Sequence, residues 1–197
     1  MKSVPNRFGL IALIIIFLML YGYFSTLGLS GNLSSLAPAI EAEDGSVTLG
    51  SLGGAHLLRG ITYTDEQTYY RVAIDTRLNR PSVIEHEIIT PHARVQQVDN
   101  ATPIVVDGES RTLPSLGAWR IQVDLSDTRT TELDGGEVVP VFVGPDIMRI
   151  AQDPLTEIRL NYDPDGSAVQ VLIGLTNKSI FRADDNGAGT IFVDILK

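Results

Sequence analysis

Residues 118–125 read Ala-Trp-Arg-Ile-Gln-Val-Asp-Leu. Within them Trp119, Ile121, Val123 and Leu125 alternate with Arg120, Gln122 and Asp124. Successive side chains of a strand point to opposite faces, so this period of two predicts a half-buried β-strand. The same alternation recurs on both sides. Tyr70, Val72 and Ile74 oppose Arg71, Ala73 and Asp75, and Ile61 and Tyr63 oppose Thr62 and Thr64. Further along, Ile158, Leu160 and Tyr162 oppose Arg159 and Asn161. Val169, Val171 and Ile173 form another such series, and Ile191, Val193 and Ile195 a last one. Residues 83–89, 93–98, 103–107 and 138–143 are further strand candidates. The strands are short and separated by turn formers, such as Asp65-Glu66-Gln67 and Asp163-Pro164-Asp165-Gly166. That punctuation suits antiparallel hairpins and meanders. Residues 146–152, between Pro145 and Pro154, are the one place where a turn or two of helix is expected. The fold expected is all-β, an antiparallel β-sandwich over residues 56–197.

Before that domain the composition changes. Residues 8–29 carry no charge and begin Phe-Gly-Leu-Ile-Ala-Leu-Ile-Ile-Ile-Phe. Their 22 residues form a helix long enough for the ~30 Å hydrocarbon core at ~1.5 Å per residue. Tyr21, Tyr23 and Phe24 sit near the outer end, where aromatic rings favour the interface. Lys2 and Arg7 precede the run, whereas Glu41, Glu43 and Asp44 follow it. The positive-inside rule then puts residues 1–7 in the cytoplasm and the remainder outside. The expected arrangement is a single-pass signal-anchor helix through the lipid bilayer, followed by a flexible Gly/Ser/Ala-rich tether over 30–55. The competing reading is a cleaved signal peptide with its site at Ala37-Pro38-Ala39. Both readings leave the domain extracytoplasmic.

Composition excludes several function classes. The chain has no cysteine, which removes disulfides, thiolate metal sites and lipidation of an N-terminal cysteine. Two of its 15 basic residues precede the span, leaving 13 against all 24 acidic residues, a net −11. So acidic a domain is repelled by phosphate backbones, and nucleic acid is not an expected partner.

Three segments together resemble the AMIN and AMIN-like group of extracytoplasmic β-domains, over roughly residues 56–196. Residues 68–75 (Thr-Tyr-Tyr-Arg-Val-Ala-Ile-Asp) are similar to its early strand, and residues 118–125 to its middle strand. The closest likeness is C-terminal: Ala168 to Leu175, then Ile180-Phe181-Arg182, then Thr190-Ile191-Phe192-Val193-Asp194-Ile195. The resemblance implies a β-sandwich outside the membrane, associated with the cell envelope and, in some members, with peptidoglycan. It implies no catalytic residues.

The remaining motifs are read as turn or surface chemistry. Gly50-Ser51-Leu52-Gly53-Gly54 lacks the apolar strand that leads into a nucleophile elbow. In Glu85-His86-Glu87 the histidine faces away from both glutamates on a strand, and His92 follows Pro91 in a turn. His56 completes the histidines. Asp163–Gly166 and Asp184-Asp185-Asn186-Gly187 offer clustered oxygens, but neither continues with the glutamate of a calcium loop. Asp75, Asp124 and Glu157 would form a carboxylate pair for sugar cleavage only if folding set them across a cleft. Asn32, Asn100 and Asn177 begin Asn-x-Ser/Thr strings. No catalytic residue, metal or cofactor is expected.

The expected function is a membrane-anchored, non-catalytic binding module of the cell envelope, with a peptidoglycan-type glycan or an envelope protein as ligand. Its candidate ligand-binding residues are Arg71, Arg120, Gln122, Arg159, Asn161 and Gln170, polar positions on amphipathic strands. The alternative is a single-span accessory or structural subunit of a larger membrane protein complex.

Overall fold

Alternating apolar residues satisfy two demands at once: the backbone pairs in ladders while one face of each ladder leaves water. In the computed structural model, which describes residues 45–79, 90–106, 109–162 and 168–197, the alternating segments are strands. In chain order they are β1 (Ser46–Leu49), β2 (His56–Asp65), β3 (Tyr69–Leu78), β4 (Ala93–Asp99) and β5 (Ile104–Val106). Next come β6 (Glu109–Arg111), β7 (Trp119–Leu125), β8 (Thr128–Arg129), β9 (Thr131–Asp134) and β10 (Glu137–Pro140). The last are β11 (Ile147–Gln152), β12 (Leu155–Tyr162), β13 (Val169–Leu175), β14 (Phe181–Asp185) and β15 (Thr190–Leu196).

They pair as antiparallel sheets. A six-stranded sheet has the order β1-β4-β7-β13-β12-β11, and a five-stranded one the order β14-β15-β3-β2-β8. The only parallel strand pair among the described residues joins β2 to the two-residue β8. Two small hairpins, β5–β6 and β9–β10, stand as separate two-stranded ladders. The described part of the chain is therefore all-β with antiparallel sheets, as the alternation implies.

Register explains the core. Ile74 of β3 lies between Ile61 and Ile191, and Val72 lies between Tyr63 and Val193. In the larger sheet Val95 is opposite Val123, and Leu160 opposite Val171. Inward residues of both sheets form one apolar cluster, with Val72, Ile74, Val123, Val171 and Val193 fully buried. Burial of each such side chain contributes roughly 1.5–3 kcal/mol. A charge at Val72 or Val193 would break the row from its centre.

Three expectations change. Residues 46–49, read as tether, are β1, because Val47 is opposite Val95 and covers the core edge. Residues 146–152 are not helical. Met148 and Ile150 alternate towards the core while Ile147 pairs with Arg159, so period two and the waiting edge of β12 decide. A register shift between Arg149 and Gln152, with Ala151 at φ 52°, interrupts this outermost strand. The strand expected at 138–143 ends at Pro140, beyond which the Val141 and Phe142 N–H groups donate to Thr130 O. The tail 1–7, the span 8–29, the tether before Gly45, the candidate at 83–89 and the turn 163–166 lie outside the described residues. Among the described residues no helix is long and apolar enough to cross a membrane.

Candidate functional site

Five of the six polar candidates share one surface. Arg120 and Gln122 project from β7, Gln170 from β13, and Arg159 and Asn161 from β12, all neighbouring strands of the six-stranded sheet. Their sequence neighbours Ile121, Val123, Val171, Ile158 and Leu160 turn into the core, so these five turn outward. Asn161 is opposite Gln170, and Arg120 opposite Gly174.

A continuous hydrogen-bond ladder links Asn161, Gln170 and Gln122 through Asp124. Asn161 Nδ2 donates to Gln170 Oε1 at 2.7 Å, and Gln170 Nε2 donates to Asp124 Oδ1 at 2.8 Å. Gln122 Nε2 donates to the same carboxylate at 2.9 and 3.1 Å. Asp124 is thus the hub, which the sequence reading singled out only as a member of a carboxylate pair. Asn161, Gln170, Asp124 and Gln122 are half-buried, fixed by one another and still open to solvent. On β4 the same face continues with Arg94, exposed and opposite Asp124, and with Gln96, opposite Gln122. The alternation of Ala93-Arg94-Val95-Gln96 carried that information, but only the β4–β7 register makes it part of this face.

The rest of the face is closed by residues 100–106 and 109–118. Leu116, in the 3-10 turn Pro114–Leu116, packs with Ile104 and Leu172 into a small second core on this outer side. Gly174 permits the approach, because a Cβ there would lie 2.6 Å from Leu116 O and 2.3 Å from Thr156 Oγ1. Asn161 Nδ2 also donates to Val105 O at 2.9 Å, which ties down the β5–β6 hairpin. Ser115 Oγ donates to Glu157 Oε1 at 2.9 Å, and Arg159 Nε donates to that oxygen at 3.0 Å.

Arg120 is consequently only 2% exposed. Its Nη1 donates to Thr102 O at 2.8 Å and Asn100 Oδ1 at 3.2 Å. Burial pushes its pKa below the usual arginine value, against the pull of Asp124 and Asp99. Arg120 and Arg159 therefore hold the covering loop; buried Arg120 is withdrawn from any ligand, whereas Arg159 stays half-buried. Asn100 is buried too, donating to Leu113 O and Gly117 O, so its Asn-x-Ser/Thr string is closed to modification in the fold.

Arg71 does not join them. It lies on β3, on the outer face of the other sheet, where β15 brings Asp194 opposite it. Arg71 Nε and Nη2 donate to the two Asp194 oxygens at 2.7 and 2.8 Å. The guanidinium lies 5.3 Å from the Tyr69 ring centre and 5.0 Å from that of Phe192. The bond to Asp194 chiefly raises its pKa, against desolvation. Arg71–Asp75 (Arg-Val-Ala-Ile-Asp) and Arg120–Asp124 (Arg-Ile-Gln-Val-Asp) share one strand pattern on different sheets.

The other candidates disperse. Asp75 is on the five-stranded sheet, away from Asp124 and Glu157, so the three carboxylates do not share a cleft. His92 Nδ1 lies 3.4 Å from Ser126 Oγ, and among the described residues no carboxylate is recorded hydrogen-bonded to that ring. His56 is buried, and His86 lies outside the described residues. Asp185 Oδ1 accepts from Gly187 N, and Asn186 Oδ1 from Ala188 N and Thr190 N, so this turn directs its oxygens at its own backbone. Among the described residues no cluster of three or more metal-ligating side chains occurs. Trp119 borders a depression with Asp99, Asn100 and Thr112, but Lys178 Nζ sits 5.5 Å from its ring centre and takes the stacking face.

The ladder can therefore offer fixed amide donors and carbonyl or carboxylate acceptors side by side, the pattern hydroxyl and amide groups need. No protein-family model, curated protein or solved structure matches this chain, so its site is read from its own chemistry.

Proposed function

We propose that this chain is a membrane-anchored extracytoplasmic binding module of the cell envelope, a β-sandwich of the AMIN-like kind, whose ligand is a glycan of the peptidoglycan type. Residues 8–29 serve as its single-pass anchor, with the N-terminus cytoplasmic and the domain outside. The observation that carries the reading is the Gln122–Asp124–Gln170–Asn161 ladder. Its side chains are held by mutual hydrogen bonds before any ligand arrives, which lowers the ordering cost of binding. Hydroxyl and amide groups both donate and accept, and the ladder meets both needs.

Affinity for one site is low. Four neutral hydrogen bonds of about 1 kcal/mol each correspond to a Kd on the order of 1 mM. A polymer met by many anchored copies is held far more firmly through effective concentration. The test is co-sedimentation of the full chain with purified wall sacculi, in detergent and on liposomes. Retention at low salt that rises on liposomes is expected. No retention in either form would remove the glycan reading.

The second reading, an accessory subunit of a larger membrane complex, draws on the exposed apolar pair of the β9–β10 hairpin. Native sizing after mild detergent extraction tests it, and a free monomer would count against it.

A further inference from the structure

The β9–β10 hairpin has two unlike faces. Leu133 and Val138 are directly opposite each other and are 73% and 69% exposed. On the alternate face Asp134 is directly opposite Glu137, flanking the two-residue turn Gly135-Gly136. Both glycines have positive φ, 58° and 93°, as a tight type I′ turn requires. Both acids are exposed, and among the described residues no salt bridge is recorded for either. Like charges directly opposite on a ladder destabilise it. The hairpin base is held: Glu132, on the acidic face, receives Arg77 Nη2 at 2.9 and 3.1 Å.

A two-stranded ladder with an uncovered apolar pair and an unneutralised acidic pair is marginal alone in water. A single extended strand added along the hairpin edge relieves both defects, because its own two faces continue the apolar and the acidic face. We propose that this hairpin is a docking arm for a protein partner that presents an apolar strip flanked by basic side chains. Charge selects that occupant. A second copy of this chain brings a domain of net −11 (13 basic against 24 acidic residues beyond the span) and is repelled. An anionic bilayer surface is repelled for the same reason. The arm lies on elements other than the polar ladder, so a glycan and a protein partner use different surfaces. The proposal deepens the subunit reading by naming the surface and the chemistry of its partner.

The probe is a labelled twelve-residue peptide of alternating valine and lysine, an extended apolar strip with basic flanks. Its valine–glutamate counterpart is the control. Each is titrated against the full chain in nanodiscs of neutral lipid, with a photo-crosslinking side chain at position 133 in a parallel sample. Saturable binding of the lysine peptide alone is expected, with an adduct at position 133. Leu133→Ser with Val138→Ser, and separately Asp134→Asn with Glu137→Asn, should each weaken it by about tenfold. All four side chains are exposed, so neither double variant should lower the melting temperature. Binding unchanged by both double variants would overturn the proposal, as would an adduct only with lipid or with a second copy. Absence of saturable binding would overturn it equally. Release of a free monomer on extraction would sink the subunit reading without touching this result, so the two failures are distinguishable.

Discussion

Gly174→Ala tests the closure of the outer sheet face. The new Cβ would stand 2.3 Å from Thr156 Oγ1, 2.6 Å from Leu116 O and 2.7 Å from Leu116 Cα. Thr156 can turn its hydroxyl away, but Leu116 presents backbone. Ordinary contact begins at 3.4 Å, so the Leu116 carbonyl must retreat by about 0.8 Å. A gap of that size forfeits a quarter to a half of each contact between Leu116 and the sheet. Overpacking of this kind costs about 1–3 kcal/mol. Replacing a glycine in a strand returns roughly 0.5–1 kcal/mol through backbone entropy. The net loss is about 1 kcal/mol if the turn yields in place, and more if it lifts and exposes Leu116, Leu172 and Ile104. For a domain of this size the melting temperature should fall by about 2–4 °C. Thermal unfolding followed by circular dichroism measures this, and hydrogen exchange over residues 100–118 shows whether the loop has loosened. Gly60→Ala is the control, since its Cβ would meet only Val143 O at 3.8 Å. A Gly174→Ala protein that melts within about 1 °C of wild type, with unchanged exchange over the loop, would refute the reasoning.

Other outcomes follow from the same geometry. Arg120→Met removes the buried guanidinium and leaves Thr102 O and Asn100 Oδ1 without their donor, so unfolding free energy in urea should drop by about 2–3 kcal/mol. Arg71→Ala strips the nearly buried Asp194 of its bidentate partner while Arg182 Nη2 remains at 3.5 Å. Allowing for the partial exposure of Arg71, this should cost about 1–2 kcal/mol in the same assay and leave sacculus retention unchanged. Gln170→Ala breaks the ladder at its middle and should lower that retention severalfold, with the melting temperature held within about 2 °C. Tyr63, whose hydroxyl donates to Gln152, has its pKa raised above 10.0 by burial first, then by Asp65 and Tyr70. The folded state then keeps the phenol proton where the unfolded state releases it. Its contribution is complete below pH 10 and declines as pH rises through the folded-state value. Melting profiles between pH 8 and 11 should show this extra alkaline decline in wild type and not in Tyr63→Phe.

Much of the fold was legible because period two leaves little choice. Residues 119–125 and 169–173 alternate in sequence, and one parity of β7 and β13 enters the main core, whereas the other is half-buried except where the covering loop buries Arg120 and Leu172. Pairing was not legible. Arg71 and Arg120 have almost the same neighbours in the chain, yet β3 and β7 belong to different sheets, so the polar candidates divide five to one. Local pattern fixes a face, whereas long-range register decides which faces meet. The hub role of Asp124 and the place of Arg94 on this face were not legible for that reason, since both depend on strands distant in sequence. The cover over Arg120 left only a faint trace, a glycine in an apolar strand. Gly174 could have signalled close backbone approach. Residues 146–152 misled because two prolines bracket a stretch short enough for a helical turn, while the edge of β12 offered better pairing.

The interruption of β11 bears on crowding. An outermost strand is a template on which another chain can add its own hydrogen bonds. Here the regular register runs only from Ile147 to Arg149 before Ala151 turns to positive φ. A neighbouring molecule could lengthen the sheet by three residues and no further, and the exposed Arg149 would greet it with charge. On this edge, crowded copies therefore find little on which to extend the sheet.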